Sequence, residues 1–142
     1  MKIQIINKSK HPNPSYQTAG AAAVDLTANL YGDIDMLPHC MAIINTGLYL
    51  SIPCGYEAQI RPRSGLAYKG ITVMNSPGTI DSDYRGEIKV LLINHTSQKY
   101  TVHNGDRIAQ MVFAKCERAE FEAVEVLTDT ERGNGGFGST GK

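Results

Sequence analysis

Short apolar runs at mostly period two, broken repeatedly by glycine and proline, constrain this chain more than any other feature. Met41-Ala42-Ile43-Ile44-Asn45-Thr46-Gly47-Leu48-Tyr49-Leu50 and Tyr56-Glu57-Ala58-Gln59-Ile60-Arg61 alternate as half-buried strands do. Ile3, Ile5 and Asn7 open the chain in the same way. Pro38, Pro53-Cys54-Gly55, Gly70, Pro77-Gly78 and Asn104-Gly105-Asp106 punctuate these runs. Glycine ends strands by reaching left-handed backbone angles, and proline by lacking an amide for the ladder. Only Ser64-Gly65-Leu66-Ala67-Tyr68-Lys69 offers a helical turn, with Ser64 able to cap it. The expectation is an all-β fold: a jelly-roll-like barrel or sandwich with one short helix and a flexible C-terminal tail.

With 142 residues the chain is long enough for one domain with a real core. Its last stretch differs in kind. From Thr128 to Lys142 five glycines interrupt a polar segment whose one aromatic is Phe137 and one arginine Arg132. Such a segment cannot bury enough apolar surface to fold alone. We therefore expect a β-barrel body over residues 1–127 and a glycine-rich flap over 128–142. The lone Phe137 suits a flap that orders over a ligand.

Charge and cysteine usage narrow the function. Fourteen basic and fourteen acidic side chains cancel, and no basic stripe is present to follow a nucleic-acid polymer. No apolar run approaches the ~20 residues that cross a membrane, and the first residues lack a signal peptide's apolar stretch. The expectation is a soluble, intracellular protein, cytoplasmic by default, with a nuclear or viral origin left open. Cys40, Cys54 and Cys116 are scattered and odd in number, which fits neither a disulfide framework nor a zinc knuckle. His11, His39, His95 and His103 make no metal-binding spacing, so no direct protein-held metal is expected.

Four polar segments carry chemistry. Gly78-Thr79-Ile80-Asp81-Ser82-Asp83-Tyr84-Arg85-Gly86-Glu87 packs acids, an aromatic and a base around glycines, just before the strand-like run Ile88 to Ile93. Alone it reads equally well as a polar turn. A strand end bearing Asp81 and Tyr84 can also hold a carboxylate and a flat ring rigidly toward one small ligand. Pro62-Arg63-Ser64-Gly65-Leu66-Ala67 brings a guanidinium, a hydroxyl and free turn amides together, a set that suits phosphate and also an ordinary capped strand exit. In Asn104 to Phe113, Gln110 is an amide in an otherwise apolar run, with a structural or a ligand-facing use open to it. The Asp106–Arg107 pair in that turn reads as structural. Asp25, set in the apolar Ala22–Ala28 stretch, needs a partner if buried, and Arg63 would suit.

The tail matches two phosphate-binding patterns that its context rejects. Gly133 to Gly138 fits GxGxxG with no helix or βα unit following, so a dinucleotide fold fails. Gly136 to Lys142 fits the start of a P-loop, but the sequence stops before the hydroxyl residue and the helix. What survives is an amide-rich ribbon able to wrap an anion, with Arg132 as a charged clamp.

Taken in order, five segments resemble the trimeric dUTP pyrophosphatases, or dUTPases. They are Ala-Val-Asp-Leu, Pro-Arg-Ser-Gly-Leu-Ala, Asn-x-x-Gly-x-Ile-Asp-x-Asp-Tyr-Arg-Gly, Gly-Asp-Arg-Ile-Ala-Gln and Arg-Gly-x-Gly-Gly-Phe-Gly-Ser-Thr-Gly, and they cover nearly the whole chain. The first departs from the family by carrying Ala23 where glycine is usual. The resemblance implies hydrolysis of dUTP to dUMP and pyrophosphate, which removes dUTP and supplies dUMP for thymidylate synthesis. It implies Asp81 as the general base for water attacking the α-phosphorus, and Tyr84 packed on deoxyribose to exclude a 2′-hydroxyl. Asn75 with the hairpin backbone through Gly78, Thr79, Ile80 and Lys89 would read uracil. Arg63, Ser64, Gly65 and Gln110 would hold phosphate, with Asp25 supporting from behind. Arg132 would meet the γ-phosphate while Phe137, Gly138 and Ser139 close over the nucleotide. Mg²⁺ would ride on the triphosphate, and three subunits would share each site. The related dCTP deaminases usually carry Arg-Ser-Ser at Arg63-Ser64-Gly65 and lack Asp-Tyr-Arg-Gly. A non-catalytic interaction protein on the same fold is the other alternative.

Overall fold

A computed structural model describes residues 1–136. Eleven strands and one five-residue helix make up the regular structure among them. In order these are β1 (Gln4–Asn7), β2 (Val24–Thr27), β3 (Ile34–Met36), β4 (Met41–Asn45), β5 (Leu48–Ser51), β6 (Tyr56–Arg61), α1 (Ser64–Tyr68), β7 (Ile71–Val73), β8 (Gly78–Ile80), β9 (Lys89–Asn94), β10 (Tyr100–Val102) and β11 (Arg107–Lys115). The all-β expectation holds. Every pairing is antiparallel, in a four-stranded sheet β2-β11-β6-β8, a three-stranded sheet β4-β9-β7, and the pairs β1-β5 and β3-β10. The result is a jelly-roll-like sandwich, and no described helix is long and apolar enough to cross a membrane.

Alternation builds the core as the sequence predicts. Val24 and Leu26 of β2, Ala58 and Ile60 of β6, Val90 and Leu92 of β9, and Ala109 and Met111 of β11 all face inward and are buried. Removing that apolar area from water is the main force joining the sheets.

The run Met41–Leu50, written as one strand-like stretch in the sequence, is two strands. Gly47 turns the chain at φ 72°, and a Cβ there would lie 2.8 Å from Ser9 N and 2.9 Å from Asn29 Nδ2. Both the backbone angle and the contact demand glycine. A second difference lies at α1. Arg63, not Ser64, is the N-cap residue, and no side chain caps the helix. Ser64 is already inside the first turn, which leaves its hydroxyl exposed.

At the surface, Asp35 on β3 accepts hydrogen bonds from Lys99 Nζ at 2.8 Å and Thr101 Oγ1 at 2.6 Å. These donors favour the charged form and hold the Asp35 carboxyl below its ordinary range. After Lys115 no further strand or helix occurs among the described residues. Residues 116–134 are exposed, among them Phe121, Val124, Val126 and Leu127.

Candidate active site

Strand β11 organises the first half of the site. Gln110 pairs in register with Asp25 on one side and Arg61 on the other, so it stands between β2 and β6. Its side-chain amide donates to Pro62 O at 2.8 Å, bracing the exit of β6. On β2, Val24 and Leu26 take the inner face, which turns Asp25 to the other. There Arg63 Nε donates to Asp25 Oδ1 at 2.8 Å, the partner expected from the sequence. Arg63 Nη1 also donates to Arg107 O at 3.1 Å, so this guanidinium is fixed at two points.

Arg107 is a residue that sequence reasoning missed. It pairs with Asp25, Nη1 to Oδ2 at 3.2 Å, while Asp106 instead accepts from His103 N at 2.8 Å. The cause is a bulge in β11: the register on β2 slips between Arg107 and Ala109. The extra residue lets Ile108 and Ala109 both be buried and rotates Arg107 onto the face of Gln110 and Asp25. Period-two reading puts Arg107 on the other face, and nothing in the residue types marks the slip.

Asp25 is therefore a carboxylate held between two guanidiniums, its side chain only 19% exposed. Beside it α1 begins. Ser64 and Gly65 are exposed, and nothing lies within 4 Å of where a Cβ on Gly65 would be. Packing does not require that glycine. Open space beside unpaired first-turn amides, a hydroxyl and Arg63 suits a tetrahedral anion.

The second half of the site is a hairpin. β8 pairs with β6, Gly78 opposite Ile60 and Ile80 opposite Ala58. Gly78 lets the Asn75 side chain approach, since a Cβ there would stand 3.0 Å from Asn75 Nδ2. Ser76-Pro77, between them, is a cis peptide. Asp81 follows the strand end and is exposed, and among the described residues its carboxylate accepts no side-chain hydrogen bond. Tyr84 is tied down twice: its N–H donates to Asp81 O at 3.2 Å and its hydroxyl to Glu87 O at 3.1 Å. The ring lies against Gly86, where any Cβ would collide with it. Arg85 Nη1 donates to Ser82 O at 2.7 Å and Tyr84 O at 2.9 Å, locking the loop rather than reaching outward. Lys89 begins β9 opposite Asn45 and is exposed.

Within one chain the two halves stand apart. Asp81 lies level with Glu57 on β6, whereas Arg63 follows the other end of that strand. Six residues at ~3.3 Å each put them roughly 20 Å apart. In the described part of the tail, Arg132 Nε donates to Gly135 O at 2.9 Å, within its own turn. Phe137, Gly138 and Ser139 lie outside the described residues.

The chain is thus an antiparallel sandwich that carries Arg63, Ser64 and Gly65 past one end of β6 and the hairpin of Asp81 and Tyr84 at the other. The family profile for dUTPase matches residues 9–141. A deoxyuridine 5′-triphosphate nucleotidohydrolase of Finegoldia magna is 55% identical over 142 residues, covering 99% of both chains. One of Cytophaga hutchinsonii is 55% identical over 141 residues, covering 99% of this chain and 92% of its own. The solved structure of the Staphylococcus bacteriophage 80alpha dUTPase with dUPNHPP superposes with a TM-score of 0.90 at 25% identity, covering 99% of each chain. The chain belongs to the dUTPase family.

Proposed function

We propose that this protein hydrolyses dUTP to dUMP and pyrophosphate at sites shared between three copies of the chain. The observation that carries this reading is the exposed Asp81 carboxylate at a rigid strand end, beside a Tyr84 ring held flat by Gly86 and Glu87. Asp81 takes a proton from a water aligned with the α-phosphorus. The water oxygen bonds to that phosphorus as the bond to the bridging oxygen breaks, and pyrophosphate leaves. Tyr84 packs on the deoxyribose and leaves no room for a 2′-hydroxyl. Asn75 and the backbone of Gly78, Thr79 and Ile80, with Lys89 at the hairpin's far end, read the uracil edge. Arg63, Ser64, Gly65 and Gln110 hold phosphate oxygens, and Asp25 keeps Arg63 aimed.

Mg²⁺ takes hard oxygen ligands and keeps several waters, so a triphosphate can carry it without a protein cage. The donor set here fits that division: Asp25 is committed to Arg63 and Arg107, which leaves guanidinium and hydroxyl groups for the phosphates. When bound, the ion neutralises phosphate charge. This chain's residues position the nucleotide and accept the proton.

The trimer is supported by the separation of the two halves. One triphosphate cannot touch both Arg63 and Asp81 of a single chain, whereas a neighbour's hairpin can complete the cradle. Unpartnered apolar surface supports it too: Met41, Ile43 and Met74 are exposed, as are Phe121, Val126 and Leu127 after β11. On this reading residues 128–142 are a flap on the 1–127 body, bringing Arg132 to the γ-phosphate and Phe137, Gly138 and Ser139 over the base. The setting we propose is the cytoplasm, where dUTP removal also supplies dUMP for thymidylate synthesis.

Product analysis after mixing with dUTP or dCTP tests the reading. Pyrophosphate from dUTP supports it. Ammonia from dCTP would make the protein a deaminase, and no product from either would make it a non-catalytic relative.

A further inference from the structure

Two cysteines far apart in sequence line one cavity with Asp81. Pro53–Tyr56 is a tight turn closed by Tyr56 N–H donating to Pro53 O at 3.2 Å, with Gly55 at φ 81°. A left-handed third residue marks a type II turn, with Cys54 in its second position. Opposite, β11 runs out of the sheet: Lys115 pairs with Tyr56, and Cys116 N–H donates to Gly55 O at 3.1 Å. One step of register therefore separates Cys54 from Cys116. Strand spacing of ~5 Å and a rise of ~3.3 Å per residue put their Cα atoms about 6 Å apart, inside the range a disulfide spans.

Strict alternation would send the two side chains to opposite faces. Gly55 breaks the alternation, and both cysteines line one cavity of about 350 Å³ together with Glu57, Asp81, Asp83 and Arg118. Both are free and exposed. Cys40 is free as well but sits in the turn before β4, away from this cavity.

We propose that Cys54 and Cys116 are a redox-active pair whose oxidation to a disulfide pins the root of the C-terminal segment to the turn beside Asp81 and slows turnover. The oxidant is a peroxide. One thiol gives up its proton and its sulfur attacks a peroxide oxygen; the S–O bond forms as the O–O bond breaks, and the departing hydroxide takes up that proton and leaves as water. The second thiol gives up its proton and attacks that sulfur; the S–S bond forms as the S–O bond breaks, and the departing oxygen takes up this proton and leaves as a second water. The disulfide fixes the direction in which the chain leaves β11 toward the tail, and it stiffens the cavity wall next to Asp81. The effect on turnover rests on the reading of Asp81 as the base, whereas the pairing of the thiols does not.

The test treats the reduced full-length protein with hydrogen peroxide, maps peptides by mass spectrometry without reduction, and measures dUTP hydrolysis in parallel. The expected result is an intrachain Cys54–Cys116 peptide and a fall in turnover of about tenfold or more, the scale at which small displacements of a positioned group act. A thiol reductant should restore the rate, and Cys54→Ser and Cys116→Ser should each keep the reduced rate after peroxide. Linkage through Cys40, linkage between chains, oxidation that stops at one sulfur, or a Cys54–Cys116 disulfide with unchanged turnover would each overturn the proposal. A reduced protein inactive on dUTP would overturn the proposed function and the regulatory half of this inference, while the peptide map still decides the pairing.

Discussion

Tyr84 is set by its close neighbours Gly86 and Glu87. Tyr84 can lie flat because Gly86 has no Cβ to meet its ring, and its hydroxyl is spent on Glu87 O. The ring is then a fixed wall rather than a movable side chain, which is what steric exclusion of a 2′-hydroxyl needs. Tyr84→Ala should raise UTP turnover relative to dUTP even as dUTP turnover falls. An unchanged ratio of the two rates would show that the wall lies elsewhere. For the base, Asp81→Asn is nearly isosteric but cannot accept the water's proton. Turnover should drop ~10²–10⁴-fold while calorimetry with a non-hydrolysable dUTP analogue shows binding largely kept. Near-normal turnover would remove Asp81 from the role.

Among the elements, β11 and β9 are each paired on both edges within the two larger sheets. β11 joins β2 to β6, and its bulge at Ile108 is what delivers Arg107 to Asp25. β9 anchors the opposite sheet through Asn94, a fully buried amide. Asn94 Nδ2 donates to Met36 O at 3.0 Å and Gln98 O at 2.7 Å, and Oδ1 accepts from Thr96 N at 2.9 Å and Thr96 Oγ1 at 2.8 Å. This one side chain ties the end of β9 to the β3–β4 connection and to the turn before β10. Asn94→Ala leaves the buried Met36 O and several partly buried partners without the amide and should cost about 1–3 kcal/mol of unfolding free energy. Urea denaturation checks it, through a lower midpoint at unchanged slope. A loss under about 0.5 kcal/mol, the range of ordinary surface changes, would mean that water replaces the amide freely.

For the whole molecule, the proposed reading makes assembly part of the chemistry. With Arg63 and Asp81 near opposite ends of β6, a neighbour would supply the half that one chain's site lacks. The tail is a separate matter. Beyond Thr130 the described residues make only local turns, Gly133 N–H to Thr130 O at 3.0 Å and Gly135 N–H to Arg132 O at 3.0 Å. Truncation after Thr130 should leave the denaturation midpoint and the oligomeric mass unchanged but cut turnover sharply, because Arg132 and Phe137 leave with it. Sedimentation and a pyrophosphate assay on the same preparation decide it, and full activity would reduce the tail to a loose end.

The sequence by itself determined the all-β class, because alternation and punctuation are local signals: β6 appears at Tyr56–Arg61 as the period-two run marks it. It also pointed to Arg63 as a suitable partner for Asp25, since a carboxylate in an apolar strand needs one when buried. Five ordered motifs carried the family with them. Only the tertiary structure decided the rest. A bulge shifts alternation without changing any residue type, so Arg107 became legible only once β2 and β11 were paired. The break at Gly47 was likewise set by Ser9 and Asn29, which press on it from other parts of the chain. The placing of Cys54 and Cys116 on one cavity and the separation of Asp81 from Arg63 belong to the same class. Distances across a sheet follow from register, and register is fixed by the packing of the whole sandwich rather than by any one segment.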